Sequence, residues 1–221
     1  MPAIIIGGCL FFISILIAGH FTPGYSHKQQ SISELGISGS VYGLLVRWLG
    51  FVPLGLSFIL FACQSGGLFT NQFPFVLIIL IGLAILCAGI FPTDPDNRRD
   101  TISGKIHASA VISLLLLLSA APFTFSVSAF YNDPPAGWFL NFSLLVGILV
   151  LGFFIISSID MNWLSAVIFQ KSRDRIEENW QLLLGMQQRL LLSFHCIWWF
   201  VFSLVLTGDG VFHLQISTVH I

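Results

Sequence analysis

The sequence predicts an all-α integral membrane protein, a bundle of six transmembrane helices with both termini on the non-cytoplasmic side. Three observations lead there. The 221-residue chain is 56% hydrophobic and only 9% charged, with a mean hydropathy of +0.91, whereas a water-soluble domain carries roughly 25% charged residues. The apolar residues form six continuous runs, without the alternation of barrel strands. All nine Lys and Arg residues fall on alternate connections or at the flanking helix ends. With a net charge of −1 and no basic patch, no nucleic-acid partner is expected.

The first run covers about residues 3–19. No Lys or Arg precedes Lys28, and Ala18-Gly19-His20 is a poor cleavage site. This run therefore reads as a retained helix rather than a signal peptide. A polar loop follows, with Pro23-Gly24-Tyr25-Ser26-His27 and Ser31-Ile32-Ser33-Glu34-Leu35-Gly36. The next runs are about 41–63, 74–92, 106–129, 138–159 and 188–207, each close to the roughly 20 residues that cross the hydrocarbon core. The second connection is Gly-rich and uncharged, and the fourth is a tight turn through Asp133-Pro134-Pro135. The fifth is longer. Ser172 is placed to cap a charged helical start there, Arg173 and Glu177 are spaced i, i+4, and Trp163 to Phe169 suits an interfacial turn. The 22 Phe residues suit lipid-facing surfaces. Trp48, Trp138, Trp163 and Trp180 lie near run ends, as an aromatic belt requires. Cys9, Cys63, Cys87 and Cys196 lack CxxC spacing and read as small buried hydrophobes without a disulfide framework.

The positive charges set the orientation. Lys28 and Arg47 flank the first loop, Arg98, Arg99 and Lys105 the third, and Lys171, Arg173, Arg175 and Arg189 the fifth. The positive-inside rule puts these loops in the cytoplasm of a cell whose inner membrane holds the protein. Residues 1–221 read as one multi-pass membrane domain.

The chemistry-bearing side chains gather at that face. Residues 91–107 hold three acids, three bases and a histidine. Glu34, Asp94, His107 and His195 are the candidate acid–base residues, with Ser33 and Arg189 as candidate binding residues. His107 opens the fourth span, with Ser103 four residues earlier as a possible cap. His195 lies about 9 Å deeper than Arg189 at 1.5 Å per residue. An ionisable side chain at that depth faces the bundle interior. Arg47 and Arg189 can both snorkel to the interface; alternatively, Arg189 near hydrocarbon calls for a carboxylate, Asp94 or Glu34. His107, His195 and one of the acids would line a shared cavity, and would suit zinc if three ligands converged at about 2.0–2.2 Å. Haem fits poorly, because the two histidines differ in depth. No motif specifies a cofactor: P-loop, GxSxG and HExxH sequences are all missing.

The order of motifs resembles a known family. A Pro-x-Tyr-Ser-like loop with Ser33-Glu34-Leu35-Gly36 follows the first span. Phe91-Pro92-Thr93-Asp94 follows the third, with His107 opening the fourth. Gly185-Met186-Gln187-Gln188-Arg189 enters the last. Together these are similar to the multi-pass family called domain of unknown function 998, over nearly the whole chain. The resemblance implies a six-helix membrane protein and no particular activity. Gln188 stands where that pattern usually has Glu.

Three functional readings follow. The first is an accessory or structural protein with a polar pocket at the cytoplasmic face. The second is a membrane enzyme acting on a lipid or small amphiphile through a Glu/Asp–His site, with or without a metal. The third is a protein that binds or transports an ion or small solute. The partners implied are membrane lipid and a small amphiphilic or lipid ligand.

Overall fold

A computed structural model describes residues 2–65, 67, 69, 72–95, 100–127, 137–158 and 184–217. The expected features at Asp96, Arg98, Arg99, Trp163, Ser172, Arg173, Glu177 and Trp180 lie outside them. The described chain is all-α: α1 (Pro2–Phe21), α2 (Ile32–Leu35), α3 (Val41–Ser65), α4 (Phe73–Ile90), α5 (Ile102–Val127), α6 (Gly137–Ser158) and α7 (Leu184–Ser217). Five of these are long and apolar enough to cross a membrane, and α6 contributes a shorter apolar stretch, Trp138–Gly152. The helices arise because long stretches of each are continuously apolar, and because a lone helix satisfies its own backbone in lipid.

Successive helices are neighbours. α3 packs on both α1 and α4, α4 on α5, α5 on α6, and α6 on α7. α3 and α4 cross closely at two glycines. A Cβ on Gly55 would sit 2.8 Å from Gly82 O, and one on Gly82 would sit 2.9 Å from Gly55 O. Small residues at such crossings let backbones approach. Within α3, Val46–Phe51 forms a π-helical turn whose last bond runs from Val52 N–H to Arg47 O. Pro53 follows at once. It has no N–H to donate and its ring crowds the preceding turn, so a widened turn accommodates it.

One half of the bundle is filled by aromatic rings. Phe61 of α3, Phe125 of α5, Phe139 of α6 and Trp198 and Phe202 of α7 are all essentially inaccessible. Trp198 stacks on Phe202 at 5.3 Å, Phe125 meets Phe202 at 4.6 Å, and Phe58 meets Trp199 edge-on at 4.9 Å. The Trp198 indole N–H donates to Ser143 Oγ at 2.9 Å. The expected assignment of Phe to lipid is therefore corrected for these residues. Rings with offset or edge-on partners gain from packing that lipid tails do not match. Trp48 and Trp138 are exposed. The cysteines also differ from expectation: Cys9 and Cys63 are exposed, and Cys87 and Cys196 are only partly buried. Cys9 and Cys63 sit on outward faces of their helices, where the bilayer accepts a thiol.

Candidate functional site

The opposite end of the bundle is polar, and its side chains bond mainly to other parts of the chain. Residues 22–35 fold onto the first turn of α7. Met186 N–H donates to Lys28 O at 3.1 Å, and Ile32 N–H donates to Gln188 Oε1 at 3.1 Å. Arg189 Nη1 donates to Gln30 O at 3.1 Å and to Gly185 O at 2.8 Å, while Nη2 donates to Tyr25 Oη. The Tyr25 hydroxyl in turn donates to Ser31 O at 2.9 Å. Gly185 is required at this seam. A Cβ there would collide with Gln30 O and lie 2.7 Å from His27 O.

The expected ion pair of Arg189 with Glu34 or Asp94 does not form among the described residues. Arg189 is instead held by carbonyls and a phenol, with its guanidinium 5.8 Å from the Tyr25 ring centroid. Five N–H donors in a fixed fork suit several carbonyls at once, so a carboxylate is not needed. Burial pushes the Tyr25 phenol up, and the Arg189 hydrogen bond and charge offset part of that rise. Burial, reinforced by the Arg189 charge, lowers the pKa of His27. Glu34 belongs to α2 itself. Its Oε1 accepts from Ser31 N–H and Ser31 Oγ–H, each at 3.0 Å, and its Oε2 from Gln30 Nε2 at 3.1 Å. This is the glutamate half of a capping box.

The C-terminus of α4 is the second centre. The last carbonyls of a helix lack intrahelical donors, and two side chains from neighbouring helices supply them. Arg47 Nε donates to Gly89 O at 2.8 Å and Nη2 to Ile90 O at 2.7 Å. Arg47 therefore caps α4 rather than snorkelling to the interface. His107 Nδ1 lies 3.0 Å from Ala88 O and 2.9 Å from Phe91 O, and its Nε2 lies 3.1 Å from Ser33 Oγ. Both carbonyls are acceptors, so Nδ1 carries the proton. In the neutral ring Nε2 then accepts from the Ser33 hydroxyl. His107 is buried and joins α2, α4 and α5.

The third centre is the start of α5. The helix begins at Ile102, five residues before His107, so His107 lies in its second turn. Thr101 Oγ1 accepts from Gly104 N–H at 3.0 Å, which makes Thr101 the cap. Ser103 donates instead to Pro92 O at 3.0 Å. Asp94 accepts from Thr101 N–H at 2.9 Å and Thr101 Oγ1–H at 2.6 Å. These bonds, the side-chain one first, hold the Asp94 carboxyl below its usual range despite some burial. A depressed native pKa stabilises the fold above the unfolded value of about 3.9, and that contribution is lost as pH falls through the folded value. Acid titration of Asp94→Asn is expected to show a shallower loss of stability below about pH 4 than the wild type, by far-UV circular dichroism in micelles.

The structure thus brings Ser33 and His107 together, gives Arg189 to the first loop and Asp94 to Thr101. His195 stands apart: it is buried in α7, and neither ring nitrogen has a hydrogen-bond partner among the described residues. No group of three His, Cys, Asp or Glu side chains placed to hold a metal occurs among the described residues, so the zinc arrangement does not assemble there. The groove that the structure displays, of about 480 Å³, lies between α4 and α5 and is lined by none of the six candidate residues. Tyr25, Arg47, Thr101 and Gln188 were not singled out as site residues. Tyr25 lies in the first of the three motif stretches and Gln188 in the last, and their joint occurrence is the available signal.

No curated protein and no solved structure matches the chain at a significant level. The family described as "Protein of unknown function (DUF998)" matches residues 5–205. That span takes in the first loop, the Phe91–His107 segment and the Gly185–Arg189 turn alike, and the chain belongs to this family.

Proposed function

We propose that the chain is a six-span protein of the cytoplasmic membrane, one membrane domain with both termini on the non-cytoplasmic side, and that it works as an accessory or structural protein. One observation carries the functional part. Ser33, His107 and Arg189 clasp the first loop to α4, α5 and α7, and Asp94 ties the segment after α4 to the start of α5. A rigid polar face of this kind suits docking or membrane organisation better than turnover. The placement of all nine Lys and Arg residues supports the orientation. Reporter fusions test it. A fusion after Gly104 is expected to report cytoplasm and one after Gly208 the opposite side, and a cytoplasmic signal at Gly208 would reverse the arrangement.

A second reading rests on the Ser33–His107 contact. A hydroxyl donating to an imidazole whose other nitrogen is fixed by carbonyls has the layout of an activated nucleophile and its base, which would serve an enzyme acting on a lipid or amphiphile ester. The two readings part in one assay. Under the structural reading, purified protein shows no fluorophosphonate labelling that depends on Ser33. Labelling that disappears in Ser33→Ala would replace it with the enzyme.

A further inference from the structure

We infer that the groove between α4 and α5 seats an anionic glycerophospholipid, with its phosphate at Lys105 and one acyl chain lying along the groove. The inference rests on the membrane placement proposed above. The groove is a shallow depression of about 480 Å³ that lies largely open on the outer surface of the two helices, which suits an acyl chain lying against them rather than a ligand engulfed by them. Leu83 and Cys87 form part of one wall, and Lys105, Ser109, Ser113 and Leu117 lie along the other. Those four residues of α5 are spaced by four, so they stack on one helix face. Lys105 lies at the membrane face that carries Arg47 and Arg189. Among the described residues Lys105 is the one cation lining the groove, and no acid lines it, so its mouth complements a lipid with net negative charge.

The hydroxyls supply the second, independent observation. Ser109 and Ser113 face outward from a membrane-spanning helix, and neither makes a hydrogen bond among the described residues. Further along the same helix, Ser119 and Thr124 donate to Leu115 O at 2.8 Å and Ala120 O at 3.0 Å, the usual resort of a hydroxyl in a span. A bare hydroxyl facing hydrocarbon is unfavourable. A glycerophospholipid brings acceptors to the right depth. Ser109 lies about 6 Å below Lys105 at 1.5 Å per residue, roughly where ester carbonyls sit beneath a phosphate. Leu117 lies about 18 Å below it, so the groove runs the depth of one leaflet, about 15 Å of hydrocarbon.

The test measures the thermal midpoint of the full-length protein in micelles during lipid titration. The probes are dioleoyl phosphatidylglycerol, dioleoyl phosphatidylcholine, dioleoylglycerol and inorganic phosphate. Phosphatidylglycerol is expected to raise the midpoint at lower concentration than phosphatidylcholine, with dioleoylglycerol and phosphate leaving it unchanged. Lys105→Gln should raise the phosphatidylglycerol concentration needed by about fivefold, and Ser109→Phe should abolish the response by filling the groove. If Ser109→Phe lowers the lipid-free midpoint, Ser113→Leu takes its place. Equal responses to the two phospholipids, a response to phosphate alone, or unchanged responses in both variants would overturn the inference. Failure of the topology fusions would be a separate result, because it reverses the leaflet without altering these titrations.

Discussion

Gly185→Ala is expected to detach the first loop and lower stability by about 3 kcal/mol, the sum of roughly three lost hydrogen bonds at ~1 kcal/mol each. The added Cβ would occupy space held by Gln30 O and His27 O and would press on Arg189 Nη1, 2.9 Å away. Two of the three neighbours are backbone, so the strain cannot be relieved by rotating a side chain. The Met186–Lys28, Arg189–Gln30 and Arg189–Tyr25 bonds should break together. Equilibrium unfolding in mixed micelles measures the loss. Trypsin gives a second readout, because cleavage after Lys28 needs a loop free to extend and should quicken markedly. A variant as stable and as resistant as the wild type would mean that the loop does not sit against α7.

His107→Ala is expected to have a comparable effect, about 2–4 kcal/mol, by a different route. Ala88 O and Phe91 O would lose the one N–H they share and Ser33 Oγ–H its acceptor, which counts as roughly two hydrogen bonds at about 1–2 kcal/mol each. Ser33→Ala removes only one of these contacts and should be milder, near 1 kcal/mol. In the double variant the Ser33 contribution should vanish, because its partner is already gone. Full additivity of the two changes would show that the hydroxyl and the ring do not interact.

The helices were largely legible because they are written in continuous apolar runs. The predicted 41–63 and 74–92 compare with Val41–Ser65 and Phe73–Ile90. The start of α5 was misplaced by four residues because hydropathy marks the apolar run, while the helix starts at its polar cap, Thr101. The gathering of Ser33, His107, Asp94 and Arg189 at one membrane face could be inferred from the charge pattern. Their pairings could not. Ionic pairing was the expected partner for Arg189, yet carbonyls of an adjoining loop serve a guanidinium equally well, and nothing local in Gln30 announces that its carbonyl will be the acceptor. The aromatic half of the bundle was also hidden. Phe at a lipid-facing position and Phe at a buried one look alike in a sequence whose helices are apolar all round.

The attachment of the first loop to the start of the last helix is the claim on which the clasp depends. It is tested most directly by paired cysteines at Lys28 and Met186, introduced after the four native cysteines are replaced by serine and treated in native membranes with a short bifunctional thiol reagent. The backbones of these two residues are joined by a 3.1 Å hydrogen bond, so rapid and near-complete cross-linking is predicted, and Gly185→Ala should suppress it. Cross-linking no faster than for a cysteine at Met186 paired with one at Gln72, at the start of α4, would contradict the account.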